Sequence, residues 1–324
     1  MPWHRRRAFP AIVLSFLLLA VGCSDAPEER GCEGAGCVPS PEDTDFPITL
    51  TDDDGVEVTL EREPRRIVTF APSITEIVFA LGAGDRMVGV SGEFDDHPPE
   101  AAGIEHVGGA GEFGVDPNVE KVVSLEPDLF LTIKGGDQWK ERLREVGVPV
   151  VTVDAVHFED LLADIRTVGR LLGEAPFRES LRLTQRMEAD AEEVTEAAQR
   201  LPSVTCFFEV FYGPPLTTVG PGTFLSELLL KAGCDSVSDG ARTQYPNWSV
   251  DRLVESDPDV YLVSSESGVS PQAVAERPGF EAVTAVAEGR VVLIDSDLVS
   301  RAGPRVVDGL RLLAEALHPE AFAA

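Results

Sequence analysis

RRIVTFAPSITEIVFALGAGDRMVGV, from Arg65 to Val90, decides the fold. Ile67-Val68-Thr69-Phe70 is short, apolar and β-branched, the composition of a buried strand. Pro72-Ser73 interrupts it. Ser73 or Thr75 is placed to cap a helix, and Glu76 sits in its first turn, where the positive end of the helix dipole favours a carboxylate. Ile77, Val78, Phe79 and Leu81 give the helix a broad apolar face. Gly82 and Gly84 stop it, and a second strand runs to Val90. A strand–helix–strand unit of this kind aims the loop at its strand end toward whatever the protein holds.

The pattern continues outward in both directions. Upstream, Ile48 to Leu60 alternates about Asp53-Asp54-Gly55 and reads as a hairpin. Downstream, helices are expected at Asn118–Val123, Gln138–Val146 and Phe158–Leu172, and strands near Leu129 and Val150. Leu161, Ile165, Val168 and Leu172 follow the 4-3-4 spacing of a buried helix face. Pro176 is well placed to begin a helix that continues to about Ala198, long enough to connect two lobes. A last helix is expected from Pro304 to Leu317.

The chain then echoes itself. Val119 to Thr132 aligns without gaps to Val250 to Val263, with 5 of 14 positions identical and 6 more conservative. Ser73 through Gly82 pairs with Phe224 through Gly233, and Pro149–Asp154 with Arg290–Asp295. Three echoes in one order imply two similar α/β lobes. The expected fold is α/β: two similar lobes with mostly parallel sheets, one long rigid helix joining them, and a ligand cleft between. The divisions are a leader at 1–22, a tether at 23–46, lobes at 47–155 and 201–324, and a helical connector at 156–200.

With 324 residues and 43% hydrophobic content the chain can build two real cores. Its 56 acidic residues against 27 basic ones disfavour nucleic acid and anionic membrane surfaces as ligands. The N-terminus is a targeting segment: His4-Arg5-Arg6-Arg7, then an apolar Ala11–Val21 too short to span a bilayer. Ala20-Val21-Gly22-Cys23 resembles a lipobox, in which cleavage leaves a lipidated Cys23; leucine is usual where Ala20 stands. Losing residues 1–22 would take three arginines and move the net charge from −29 to −32. Of five cysteines, Cys23 as lipid carrier leaves two pairs for an oxidising compartment, Cys32 with Cys37 and Cys206 with Cys234. No histidine neighbours them at zinc spacing.

The opening stretch with the following SGEFDDHPPEA, then NVEKVVSLEPDLFL, KGG and VGVPVVTVD, resembles the substrate-binding proteins of ABC importers for iron–siderophore, haem and cobalamin. Asp96-His97-Pro98-Pro99-Glu100, Ile104-Glu105-His106-Val107, Pro214-Pro215 and Arg301-Ala302-Gly303-Pro304-Arg305 are most similar to the cobalamin-binding subgroup. The likeness covers about Ile48 to His318. It implies two lobes clamping one large ligand with little closure, and a monomer that docks on a permease dimer with its ATPase subunits. It also implies one docking glutamate per lobe, matched here by Glu76 and Glu227, both expected on the polar side of equivalent helices. It places the chain outside the cytoplasm, tethered to the membrane by lipid alone, with no catalytic cofactor and no resident metal.

A flat macrocycle asks for aromatic faces and a few polar groups on strand-end loops. The candidates are Phe94, Phe113, Phe211, Tyr212, Tyr245, Trp248, Ser300 and Arg301. Tyr245 and Trp248 lead, because loop aromatics beside proline and asparagine are awkward to bury. Two positions depart from the cobalamin pattern: Ile133-Lys134 stands where an aromatic often precedes Gly135-Gly136, and Ser300 where an acid sometimes precedes Arg301. Trp139, three residues beyond Gly136, either compensates for the first or simply packs its helix. Ferric siderophore or haem is the alternative cargo, with Arg301 for carboxylates or Tyr212 or Tyr245 for haem iron. His97, His106 and His157 lack a ligand set in the second lobe for a bare metal ion. An exported α/β enzyme finds no nucleophile elbow, phosphate-binding glycine loop or histidine metal motif. A sensor or interaction protein of the same fold is the remaining alternative.

Overall fold

The computed structural model describes residues 44–109, 115–213 and 215–322. Cys23, the Cys32–Cys37 pair, Phe113 and most of the tether fall outside them. No helix among the described residues is long and apolar enough to cross a membrane.

A hairpin comes first, β1 (Ile48–Thr51) against β2 (Glu57–Leu60), with Ile48 opposite Leu60. The first lobe is β3 (Ile67–Phe70), α1 (Pro72–Ala80), β4 (Met87–Gly89), α2 (Val119–Ser124), β5 (Leu129–Thr132), α3 (Asp137–Glu145) and β6 (Val150–Thr152). Its strands are all parallel, in the order β4-β3-β5-β6. The chain leaves β4 and crosses β3 to reach β5. The order therefore reverses beside β3, and the carboxyl ends of β3 and β5 frame the crevice where such sheets take ligands.

The N-cap of α1 lies two residues before Ser73 and four before Thr75. Ala71 is its N-cap and Pro72 its first residue, with no side-chain cap. Proline needs no N–H partner there, so a capping hydroxyl is dispensable. Thr75 instead bonds the Thr69 hydroxyl at 2.7 Å and donates to buried Asp95. Gly82 ends the helix at φ 75°.

Two helices follow, α4 (Phe158–Leu171) and the 26-residue α5 (Glu174–Gln199). The whole 4-3-4 stripe of α4 is buried. At about 1.5 Å per residue α5 spans about 39 Å. It begins two residues before Pro176, whose missing N–H falls among the unbonded donors of the first turn and costs nothing.

The second lobe is β7 (Val204–Tyr212), β8 (Leu216–Thr218), α6 (Phe224–Lys231), β9 (Cys234–Ser236), β10 (Asn247–Trp248), α7 (Val250–Ser256), β11 (Val260–Ser264), α8 (Pro271–Ala275), α9 (Thr284–Ala287), β12 (Val291–Ile294), α10 (Ser296–Val299), α11 (Val306–Leu317) and α12 (Pro319–Phe322). Parallel strands β9, β7, β11 and β12 repeat the first lobe's order. Antiparallel β8 and β10 are added beside the far half of β7. A disulfide joins Cys206 on β7 to Cys234 at the start of β9. It closes a 28-residue separation, which on chain entropy alone stabilises by about 3–4 kcal/mol.

One apolar core runs through the hairpin, α1, α4, α5, α6 and α11, from Ile48 through Ile165 and Val194 to Leu313. The lobes thus share buried surface, which opposes hinge opening. Smaller cores lie on each sheet's other face, around Phe130 and Trp139 in the first lobe and Phe207 and Tyr261 in the second.

Edge strand β6 is covered by the hairpin turn. Asp52 Oδ2 accepts from Thr152 N at 3.1 Å and Asp53 Oδ2 from Asp154 N at 2.7 Å, while Asp53 N donates to the Thr152 carbonyl. Asp54 meets the fully buried Lys140 ammonium at 2.6 Å. Burial raises the Asp54 carboxyl, but hydrogen bonds from Lys140 and Thr152 outweigh it and hold the group below the usual carboxylate range.

Candidate functional site

At the carboxyl ends of β3 and β5 lies a cavity of about 600 Å³. Phe70, Ala71, Pro72, Phe94, Val115 and Ile133 make its apolar wall, and His106 and Glu93 its ionisable part. Asp95 shapes the mouth. Its buried carboxylate takes the hydroxyls of Thr75 and Ser91 and Gly92 N, pinning the loop to α1. Neighbouring Phe94 is left 73% exposed at the rim. Lys140 donates to the Ile133 carbonyl at 2.9 Å and fixes the opposite wall.

A second cavity of about 270 Å³ shares Ala71, Pro72 and Ile133 with the first and continues it toward the other lobe. Asp154 and Asp164 line it from one side, and Phe224, Ser300 and Arg301 from the second lobe. Burial, and then the charges of Asp53, Asp160 and Asp154, push the Asp164 carboxyl up to about 8.

Of the residues expected to touch ligand, the linked cavities bring together Phe94, Ser300 and Arg301. Tyr212 and Trp248 line a separate cavity of about 430 Å³ beside β8 and β10. Phe211 and Tyr245 are exposed. Trp248 departs from expectation: it is 2% exposed and packs on Phe207 in the second-lobe core. Its stretch forms the short strand β10, which pairs Trp248 with Leu216 and turns the indole inward, under the Arg252 guanidinium at 3.5 Å. Tyr212 stacks under Arg277, which is bound bidentately by buried Glu209 at 2.5 and 2.9 Å.

Glu76 is also not where its helix position suggested. It is 4% exposed. Arg305 binds it bidentately from the second lobe, Nε to Oε2 at 2.8 Å and Nη2 to Oε1 at 2.6 Å. The loop after α10 lies directly over this face of α1, so the polar side is covered. Glu227 is half-buried: its Oε2 accepts from Phe158 N at 3.0 Å and meets His157 Nδ1 at 3.2 Å, with Lys231 at 3.4 Å. Each glutamate thus reaches out of its own lobe.

The sequence matches the family model described as periplasmic binding protein over residues 67–298. The chain belongs to the periplasmic binding protein family. An ABC transporter substrate-binding lipoprotein of Bacillus subtilis is 31% identical to this binding protein over 327 residues, 98% of either chain. A cobalamin-binding protein of Halobacterium salinarum is 30% identical over 285 residues, 84% of this chain and 74% of that one. The apo periplasmic haem-binding protein of Roseiflexus sp. RS-1 superposes with a TM-score of 0.71 at 25% identity, covering 79% of this chain and 99% of that one.

The lining residues that sequence reasoning did not name as ligand contacts include His106, Ile133, Asp154 and Asp164. His106 and Asp154 sit in motifs that carried the resemblance, and Ile133 lies between two of them, so all three could have been found there. Asp164 reads as one more acid on the polar side of α4 and gave no signal.

Proposed function

We propose that this chain is the extracytoplasmic substrate-binding component of an ABC importer, anchored by a lipid on Cys23, that captures a corrinoid and delivers it to a membrane permease. The observation that carries the reading is the apolar, aromatic-rimmed cavity at the first-lobe switch point, continued to Arg301 and Ser300 of the other lobe. Its shape suits a flat, wide ligand held between lobes that share a core and close little. The cobalamin-binding relative supports the choice of cargo. In this reading residues 1–22 are removed, 23–46 form the tether, 47–155 and 201–324 are the lobes, and 156–200 connect them in a monomer. Glu227 offers a carboxylate to the permease directly. Glu76 does so once a permease arginine replaces Arg305. Haem is the second reading, favoured by the His106 imidazole in the cavity and by the haem-binding structural relative.

The test is a parallel titration with cyanocobalamin, haemin and a ferric hydroxamate. Corrinoid binding at micromolar affinity or tighter, seen as a spectral shift or a ligand-dependent rise in Tm, is the expected result. A response to haemin alone turns the reading to haem, and silence toward all three overturns it. Glu227→Lys should abolish transport and leave ligand affinity intact. Cys23→Ala should release the protein from the membrane fraction.

A further inference from the structure

The charges facing the linked cavities are one-sided. Among the described residues, Arg301 is the arginine that lines them. Its guanidinium is already claimed by three carboxylates, Asp297 at 2.7 Å, Asp96 at 3.4 Å and Glu76 at 3.5 Å. Lys134, next to Ile133, has its ammonium 3.9 Å from Asp154. Among the described lining residues, what remains besides the His106 imidazole is acidic: Glu93 at the mouth, Asp154 and Asp164 on the floor. Asp164 accepts no hydrogen bond from any described residue, and burial raises both floor carboxyls. A protonated Asp164 can donate one hydrogen bond while its other oxygen accepts another. A primary carboxamide is the complement, with a carbonyl that accepts and an amino group that donates. A ligand carboxylate there would lie beside the Asp154 charge in a partly desolvated site, where repulsion exceeds that in water, and it has no donor for the accepting oxygen of Asp164.

We infer that the cleft selects an uncharged chelate with carboxamide groups on its rim and rejects chelates bearing free carboxylates or catecholates. The cause is that Arg301 arrives fully paired, which leaves Asp154 and Asp164 to meet the ligand. The inference rests on the corrinoid reading and adds to it the charge class of the ligand. It also sets the cleft against haem, whose propionates meet no unpaired arginine or lysine among the described lining residues.

Two corrinoids separate the outcomes: dicyanocobinamide, whose rim carries amides, and dicyanocobyrinic acid, the same ring with carboxylic acids. The expected result for the full chain at pH 7 is at least about tenfold tighter binding of the amide form. Asp154→Asn with Asp164→Asn should narrow that gap several-fold, chiefly by strengthening binding of the acid form. If the double variant does not fold, Asp297→Asn, which frees one side of Arg301 at a more exposed position, should strengthen binding of the acid form. Equal or tighter binding of the acid form by the unaltered chain overturns the inference, as does a gap that none of these changes moves. Silence toward both corrinoids overturns the corrinoid reading instead.

Discussion

The corner between α2 and β5 and the corner between α7 and β11 are built alike down to single hydrogen bonds. Glu126 and Asp257, equivalent in the sequence echo, both take left-handed backbone, φ 48° and 40°. Asp128 accepts from Arg65 N and Arg66 N at the start of β3, and Asp259 from Thr205 N near the start of β7. Both carboxylates tie a strand's entry to its parallel neighbour. The lobes part company at the strands' other ends. There the first lobe opens a cavity between β3 and β5, while the second fills the space beside β7 with β8, β10 and the Glu209–Arg277 pair. The repeated frame holds the sheets, and the unlike ends make one lobe the wall with the cavity and the other its facing surface.

Buried ion pairs break that comparison most visibly. Glu209→Ala leaves Arg277 unpaired among Tyr261, Tyr212 and Phe280 and is expected to cost about 3–5 kcal/mol in chemical denaturation. In the first lobe Asp54→Ala also orphans a buried cation, Lys140. Water can reach that site, and Lys140 keeps the Ile133 carbonyl and Thr152, so about 1–3 kcal/mol is expected. Equal losses would show that the two pairs carry the same weight.

The two glutamates come next. Glu76→Ala breaks the bidentate pair with Arg305, itself about a quarter exposed, and should cost about 2 kcal/mol. Glu227→Ala loses half-exposed contacts and should cost less than about 1 kcal/mol. A Glu76 effect as small as that of Glu227 would mean that the contact between lobes is incidental to stability.

Helix-ending glycines sharpen the comparison further. Gly82 at φ 75° has open space around an added Cβ, so Gly82→Ala should cost about 1 kcal/mol of left-handed strain. Gly233 at φ 88° would drive a Cβ to 2.7 Å from His318 Nε2, so its alanine variant should melt lower than that of Gly82.

A separate effect falls on pH dependence. The Asp164 carboxyl titrates near 8 when folded and near 4 when unfolded. Between those values the folded state binds more protons, so this group lowers stability as pH rises through that window. Asp164→Asn should flatten the slope of denaturation midpoint against pH between about 4 and 8. An unchanged slope would show that the acid is solvated in the folded chain.

The succession of strands and helices and the likeness of the two lobes were legible because β-branched runs, glycine stops and the Pro-Asp corner are local signals. The side chains' destinations were not. Trp248 looked exposed beside Pro246 and Asn247, yet pairing of β10 with β8 decides which way it points. Glu76 looked like a surface acid from helix phase alone, and its cover comes from Arg305, 229 residues away. Asp95 and Asp164 matter through contacts with other elements, which no spacing within their own segments reveals.

The hairpin that covers β6 has a consequence for the order of assembly. Asp52 is made 100 residues before the Thr152 amide it accepts. During synthesis the hairpin therefore waits, its three aspartates hydrated, until the fourth strand of the sheet has emerged. The first lobe cannot be sealed from its own beginning. Its exposed edge stays open to wrong pairing until that late contact forms.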